Sequence, residues 1–285
     1  MGTIRSVCAV LCASVAFLGH TAGDAFGQTS SLRLYEFDCG RLMYDSPEAA
    51  GFGISDDETE VRELFVPCYL IEHPEGRLLW DGGLRSDLAV EDGWLEYEGW
   101  RMRLDRSLAD QLADIGLTYD SIRYAAYSHM HFDHVGAANE AESATVFIQR
   151  PEHEAAFAEE IEVPGFDPSL YDRLEDRELV LLDGDHDVFG DGTVRILYLP
   201  GHTPGHQALF VDLSGEGPIV LSGDLYHFRI SRAKRIVPRW NTGAEATLES
   251  MDRLEAFLAE TGATLWIEHD LARYLETIPA AGYHQ

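Results

Sequence analysis

Positive charge is scarce in this chain: 21 lysines and arginines stand against 50 aspartates and glutamates, a formal net charge of −29. That balance repels phosphate backbones and anionic membrane surfaces, which argues against nucleic acid or a lipid headgroup as a partner. The acidity itself reads as a solvated surface. An apolar run near the start, Val7–Leu18 (VCAVLCASVAFL), is too short to span a bilayer comfortably. Cysteine is sparse as well, with four in the whole chain, at 8, 12, 39 and 68. No low-complexity linker divides the sequence, which favours one sandwich-like α/β domain over two independent ones.

The first residues have the pattern of an export signal. Arg5 is a short positive start, Val7–Leu18 an apolar stretch of signal length, and Ala25-Phe26-Gly27 offers small residues for cleavage before Gln28. Residues 1–27 are therefore expected to be a signal peptide and the mature protein to be periplasmic or secreted. Neither Cys8 nor Cys12 follows the small residue that lipid attachment needs, so no stable membrane anchor is expected. Cys39 and Cys68 remain, and an oxidising compartment would let them pair. Spacing alone leaves that pairing open.

Strand-like alternation covers 32–38, 65–72 and 77–80, the last two joined by the turn His73-Pro74-Glu75-Gly76. Residues 84–104, rich in Trp, Tyr and acids, have no clean period and read as a covering loop. A helix follows over 107–115, then a buried strand over 122–127, a helix beginning at Val135, a strand over 145–149 and a helix over 152–160. The second half is strand-rich: 179–182, 194–199, 207–212, 219–222 and 265–267. Thr242 with Glu245 reads as a capping box for a helix that turns Leu248, Met251, Leu254 and Phe257 to the core.

Chemistry concentrates at strand ends. The run His129-Met130-His131-Phe132-Asp133-His134 leaves a buried strand. Residues two apart on an extended segment point the same way, so His129 and His131 can grip one ion, while Asp133 and His134 turn toward a second position. His202 in Pro200-Gly201-His202-Thr203-Pro204-Gly205-His206, Asp224 after Ser222-Gly223, and His269 after Glu268 each follow an apolar strand too. Imidazole and carboxylate suit zinc and its borderline neighbours.

In this order the motifs resemble the metallo-β-lactamase superfamily over nearly the whole mature chain, 28–285. The resemblance implies a hydrolase with an α/β fold, a four-layer αββα sandwich with metals at one edge. It implies one ion on His129, His131 and His202, another on Asp133, His134 and His269, and Asp224 bridging both. The ions would be divalent, zinc first, with cobalt, manganese or iron as alternatives. His206 would be structural, and Asp81 would orient a ligand histidine. Gly205-His206-Gln207 and Asp224-Leu225-Tyr226 are similar to the quorum-quenching N-acyl-homoserine lactonases, although Tyr226 follows the aspartate by two positions where the best-known members have three. The implied reaction is the opening of a small-molecule lactone by a metal-bridging hydroxide, with Tyr226 donating a hydrogen bond and Asp133 relaying a proton. Met43, Tyr44, Phe52, Trp94, Trp100 and Phe166 are candidates for an acyl-chain wall. His73, His153, His186, His227 and His284 read as ordinary surface residues. The alternatives are a β-lactamase, a thioesterase of the glyoxalase type, and a non-catalytic metal-binding protein. A homodimer is compatible with the sequence.

Overall fold

The computed structural model describes residues 1–2, 32–90, 93–97, 99–277 and 282–285. The expected signal segment, and with it the cleavage point before Gln28, lies outside the described residues. Strands β1 (Arg33–Met43), β2 (Glu63–His73), β3 (Gly76–Trp80), β4 (Leu95–Tyr97) and β5 (Trp100–Arg103) lead to helix α1 (Leu108–Asp114). Then come β6 (Tyr124–Ala126), β7 (Thr145–Gln149), α2 (Arg150–Ala156), β8 (Leu179–Leu182) and β9 (His186–Asp187). The chain closes with β10 (Val194–Tyr198), β11 (Gln207–Leu213), β12 (Gly217–Leu221), α3 (Arg229–Lys234), α4 (Ala244–Thr261), β13 (Thr264–Trp266) and α5 (Leu271–Thr277).

Two sheets result, ordered β4-β5-β1-β2-β3-β6-β7-β8 and β13-β12-β11-β10-β9. Alternation along the strands sets the layers. Leu78 and Trp80 of β3 face the second sheet and pack with Ile196, Leu209, Val211, Ile219 and Leu221. Leu79, between them, faces outward with Ala125, Val146 and Ile148 to meet Leu108 and Leu112 of α1. On the far side Phe210 and Val220 meet Met251, Leu254 and Leu258 of α4. This is the expected αββα sandwich. Among the described residues no helix is long and apolar enough to cross a membrane.

Three local expectations need correction. The covering loop contains β4 and β5, whose ladder to β1 pairs Arg41 with Arg103 and Met43 with Arg101. Edge strands half open to water need no strict alternation, so periodicity missed them. The helix expected from Val135 is a series of turns, with Val135 and Ala137 carbonyls accepting from Ala138 and Glu140 three residues on. Helix α4 starts from Gly243, not from a Thr242 capping box, because the Thr242 hydroxyl donates to the Gly201 carbonyl (3.1 Å) instead.

Cys39 on β1 and Cys68 on β2 form a disulfide, with their Cα atoms 5.7 Å apart and both residues buried. The bond closes a loop of sequence separation 29 that holds the irregular segment 44–62. By loop-closure entropy it should contribute about 3–4 kcal/mol. Replacing both cysteines with alanine is expected to lower the unfolding free energy by ~2–4 kcal/mol in urea titration, with the fold kept.

Candidate metal centre

Every ligand-type residue of the sequence reading sits at one edge of the sandwich, because the strands that carry them end there. β3 runs parallel to β6, and β12 parallel to β13. Their C-terminal ends deliver Asp81, the 128–134 loop, Asp224 and His269 side by side. The loop 199–206 between β10 and β11 arrives at the same edge, since β10 and β12 both run antiparallel to β11.

Two trios converge. His129 Nε2, His131 Nδ1 and His202 Nε2 lie 2.8–3.1 Å from one another. Asp133 Oδ2 lies 3.6 Å from His134 Nε2 and 3.7 Å from His269 Nε2. Asp224 stands between them. Its Oδ2 is 3.4 Å from His202 Nε2, and its Oδ1 is 3.4 Å from His134 Nε2 and 2.9 Å from His269 Nε2.

The ring nitrogens pointing away from the centre are each tied down. His129 Nδ1 meets the Ser128 hydroxyl (3.0 Å), His134 Nδ1 meets Asp81 Oδ2 (2.8 Å), and His202 Nδ1 meets Asn241 Oδ1 (3.1 Å). His269 Nδ1 meets the Phe65 carbonyl (2.6 Å), and the Pro164 carbonyl faces the His131 ring. With the outer N–H donated, each inner nitrogen presents a lone pair, the form a metal takes.

The residues present fit a pair of cations. His134 Nε2 is buried without any hydrogen-bond partner, and Asp224 Oδ1 makes no well-aligned hydrogen bond although His269 Nε2 comes within 2.9 Å, whereas buried polar atoms are normally paired. Burial, with neighbouring imidazoles adding to it, holds His129 well below the ordinary histidine range. Burial takes His131 down to about 3. Around the second trio burial is outweighed: Asp133, Asp224 and Asp81 raise His134 well above that range, and Asp224 lifts His269 to about 9. The first trio thus offers neutral donors, and the second sits in a negative field that calls for positive charge.

The model of the metallo-β-lactamase superfamily matches residues 61–274. The chain belongs to this superfamily. Among curated relatives, the N-acyl homoserine lactonase AttM of Azorhizobium caulinodans is 30% identical over 231 residues, 78% of this chain and 88% of that protein. The lactonase AiiA of Bacillus thuringiensis subsp. kurstaki is 28% identical over 248 residues, 84% and 93% of the two chains. A solved quorum-quenching N-acyl homoserine lactone hydrolase superposes with a TM-score of 0.75 at 25% identity, covering 89% of this chain and 98% of that one. The dizinc quorum-quenching lactonase AidC shares the fold, with a TM-score of 0.62 at 19% identity over 85% of this chain and 88% of that one.

For this superfamily member two expected roles are settled by packing. Asp81, buried and with φ +58°, accepts from the Ser128 amide (2.6 Å), the Ser128 hydroxyl (2.9 Å) and His134, so it orients a ligand-type histidine. His206 is used up, its Nδ1–H on the Leu199 carbonyl (2.9 Å) and its Nε2 accepting the Asp224 amide (2.9 Å).

Tyr226 is a correction. Its hydroxyl donates to Glu255 (3.1 Å) and its ring packs with Leu254 and Met251 beneath α4, away from Asp224. The sequence argument assumed an extended segment after the aspartate. Residues Gly223–Leu225 instead form one tight helical turn, which puts the residue three positions on at the site. That residue is His227, buried, with Nε2 3.0 Å from Asp224 Oδ2. His227 is therefore no surface residue, and neither are His73 and His284, which are also buried.

Over the centre opens a cavity of about 230 Å³. Leu42, Ala50, Phe52, Leu64, Trp100, Phe132 and Trp240 give it apolar walls, and His131, Asp133, Asp224, His227 and His269 its floor. Of the expected acyl-wall residues, Phe52 and Trp100 line it. Tyr44 supports them from behind, Phe166 packs on His131, and Trp94 lies under the Arg103 guanidinium. Met43 does not line it either, and Trp240, 5.1 Å from the His227 ring, was missed.

Because, among the described residues, Asp224 stands between the two trios, Asp224→Ala is expected to hold fewer divalent ions per chain than the parent. Inductively coupled plasma analysis of the purified variant reads this directly. Two ions retained would remove Asp224 from the bridging position.

Proposed function

We propose that this enzyme opens the lactone ring of N-acyl-homoserine lactones, using two divalent ions held by His129, His131 and His202, by Asp133, His134 and His269, and by Asp224 between them, with zinc as the metal. The observation that carries this reading is the cavity's charge. Among the residues lining it there is neither lysine nor arginine. A β-lactam and a glutathione thioester both bring carboxylates that no side chain of these walls can pair, leaving only the bound ions to offset the cost of desolvating them. A neutral ring with an apolar tail suits it. The curated relatives named above support the same substrate class.

Bound there, two divalent ions would supply a nucleophile at neutral pH and a Lewis acid for the carbonyl. The chain's own residues do the rest. Burial works against charge on Asp224, but His269, His227 and His134 hold it ionised, well below the usual carboxylate range. Asp133, at the cavity floor, is placed to accept a proton and pass it to the leaving alkoxide. Phe52, Trp100 and Trp240 exclude water and hold the acyl chain. His227 takes the role expected of Tyr226: its ring faces the cavity outside both trios, and its N–H can donate to the developing charge.

The disulfide supports a further part of the reading, export to the periplasm or beyond with cleavage before Gln28, since such bonds persist in oxidising compartments. N-terminal sequencing of secreted protein should begin at Gln28; a start at Met1 would refute it.

The zinc-loaded enzyme is expected to hydrolyse N-acyl-homoserine lactones, followed by acid release, and to leave nitrocefin untouched. The reverse pattern would make it a β-lactamase. His227→Phe should lower kcat on the order of tenfold to a hundredfold with two ions still bound. An unchanged kcat would deny His227 the donor role, and a lost ion would make it a ligand.

A further inference from the structure

Glu152 lies in the first turn of α2, and its carboxylate points inward rather than to solvent. It is 2% exposed. Among the described residues it forms no ion pair with lysine, arginine or histidine. Instead each oxygen takes one backbone N–H from a different loop. Oε1 accepts from the Met130 amide at 2.8 Å, and Oε2 accepts from the Gly205 amide at 2.7 Å.

The placement of those amides matters. Met130 separates His129 from His131. Gly205 closes the loop that carries His202. A carboxylate buried without a cation is unfavourable unless its lone pairs are filled, and here they are filled by the two loops that supply one trio. The loops are also joined at their bases, where the Gln207 amide donates to the Ser128 carbonyl and its side chain to the Tyr127 carbonyl, both at 2.9 Å, but Glu152 joins them beside the ligands at Met130 and Gly205. Gly205 is required for the approach: a Cβ there would stand 2.4 Å from Glu152 Cβ and 2.5 Å from its backbone nitrogen.

The second trio is held by other means. His134 leans on Asp81, its carbonyl accepts from the Gly82 amide at 2.6 Å, and His269 leans on the Phe65 carbonyl. None of these contacts passes through Glu152.

We propose that Glu152 is a positioning residue for one metal site only: by clamping the Met130 and Gly205 amides together it sets the spacing of the His129/His131 pair against His202, and it leaves the Asp133/His134/His269 site to Asp81 and Phe65. It touches neither substrate nor ion. Gln at this position keeps the shape but has a single acceptor oxygen, so one loop loses its anchor and meets an NH2 group instead.

Zinc titration of the full chain, with imidazole ¹⁵N shifts showing which histidines are metallated, tests this without reference to turnover. In Glu152→Gln the site of His129, His131 and His202 should weaken by about 10–100-fold, the usual effect of losing an outer partner of a ligand. The other site should be little changed, and at intermediate zinc the variant should hold one ion where the parent holds two. Asp81→Asn should weaken the Asp133, His134 and His269 site and, through Ser128 beside His129, the first site as well. Glu152→Asp, which keeps both acceptors but sits one methylene short, provides a second form and should show the same selective loss. Equal weakening of both sites, or no weakening of the first, overturns the proposal. So does failure of both Glu152 variants to fold in excess zinc, which would make the residue a general structural one.

Discussion

Around the Asp224 carboxylate the imidazoles of His129, His134, His202, His227 and His269 crowd at 2.9–3.7 Å. Without cations this is a poor arrangement, because convergent lone pairs and a buried carboxylate cannot all be satisfied by sharing protons. The surrounding structure can be understood as the means of enforcing it. The sandwich brings four strand ends to one edge, the outer ring nitrogens are tied to Ser128, Pro164, Asp81, Asn241 and Phe65, and the Asp224 amide is fixed by His206. Each tie removes a rotamer that would let the centre relax.

That dependence explains what was legible in the sequence. The ligand-type residues lie next to apolar strands, so the strand pattern and the residue types together pointed to all seven. The layers were legible for the same reason: Leu78, Leu79 and Trp80 alternate between two buried faces, and Ile219, Val220 and Leu221 do likewise. What the pattern could not supply was the shape of the chain between strand and site. One tight turn at Gly223–Leu225 exchanged Tyr226 for His227. Glu152 looked like one more acid in a chain full of them, since nothing local marks a carboxylate that turns inward. Trp240 belongs to an irregular segment whose position depends on contacts with distant residues, among them its indole N–H on the Ala50 carbonyl at 3.0 Å.

The glycines of Pro200-Gly201-His202-Thr203-Pro204-Gly205-His206 make the same point from the packing side. A Cβ at Gly201 would stand 2.3 Å from the Thr247 amide nitrogen, just as one at Gly205 would run into Glu152. The loop that carries His202 is thus pressed between the starts of α4 and α2. A motif readable as a string of residues is, in three dimensions, a strap between two helices, and its glycines are set by backbone approach rather than by chemistry at the metals.

Charge gives the proposed reaction a direction. A lactone enters neutral, so a net charge of −29 neither steers nor repels it. Ring opening produces a carboxylate and a proton. The product is then an anion inside a strongly acidic protein, in a cavity whose lining has no lysine or arginine, so only the bound ions would hold its carboxylate. At physiological ionic strength surface charges act over roughly 8 Å, so the acids nearest the mouth matter most. Their field disfavours entry of the carboxylate-bearing rivals, which the uncharged walls already fail to hold.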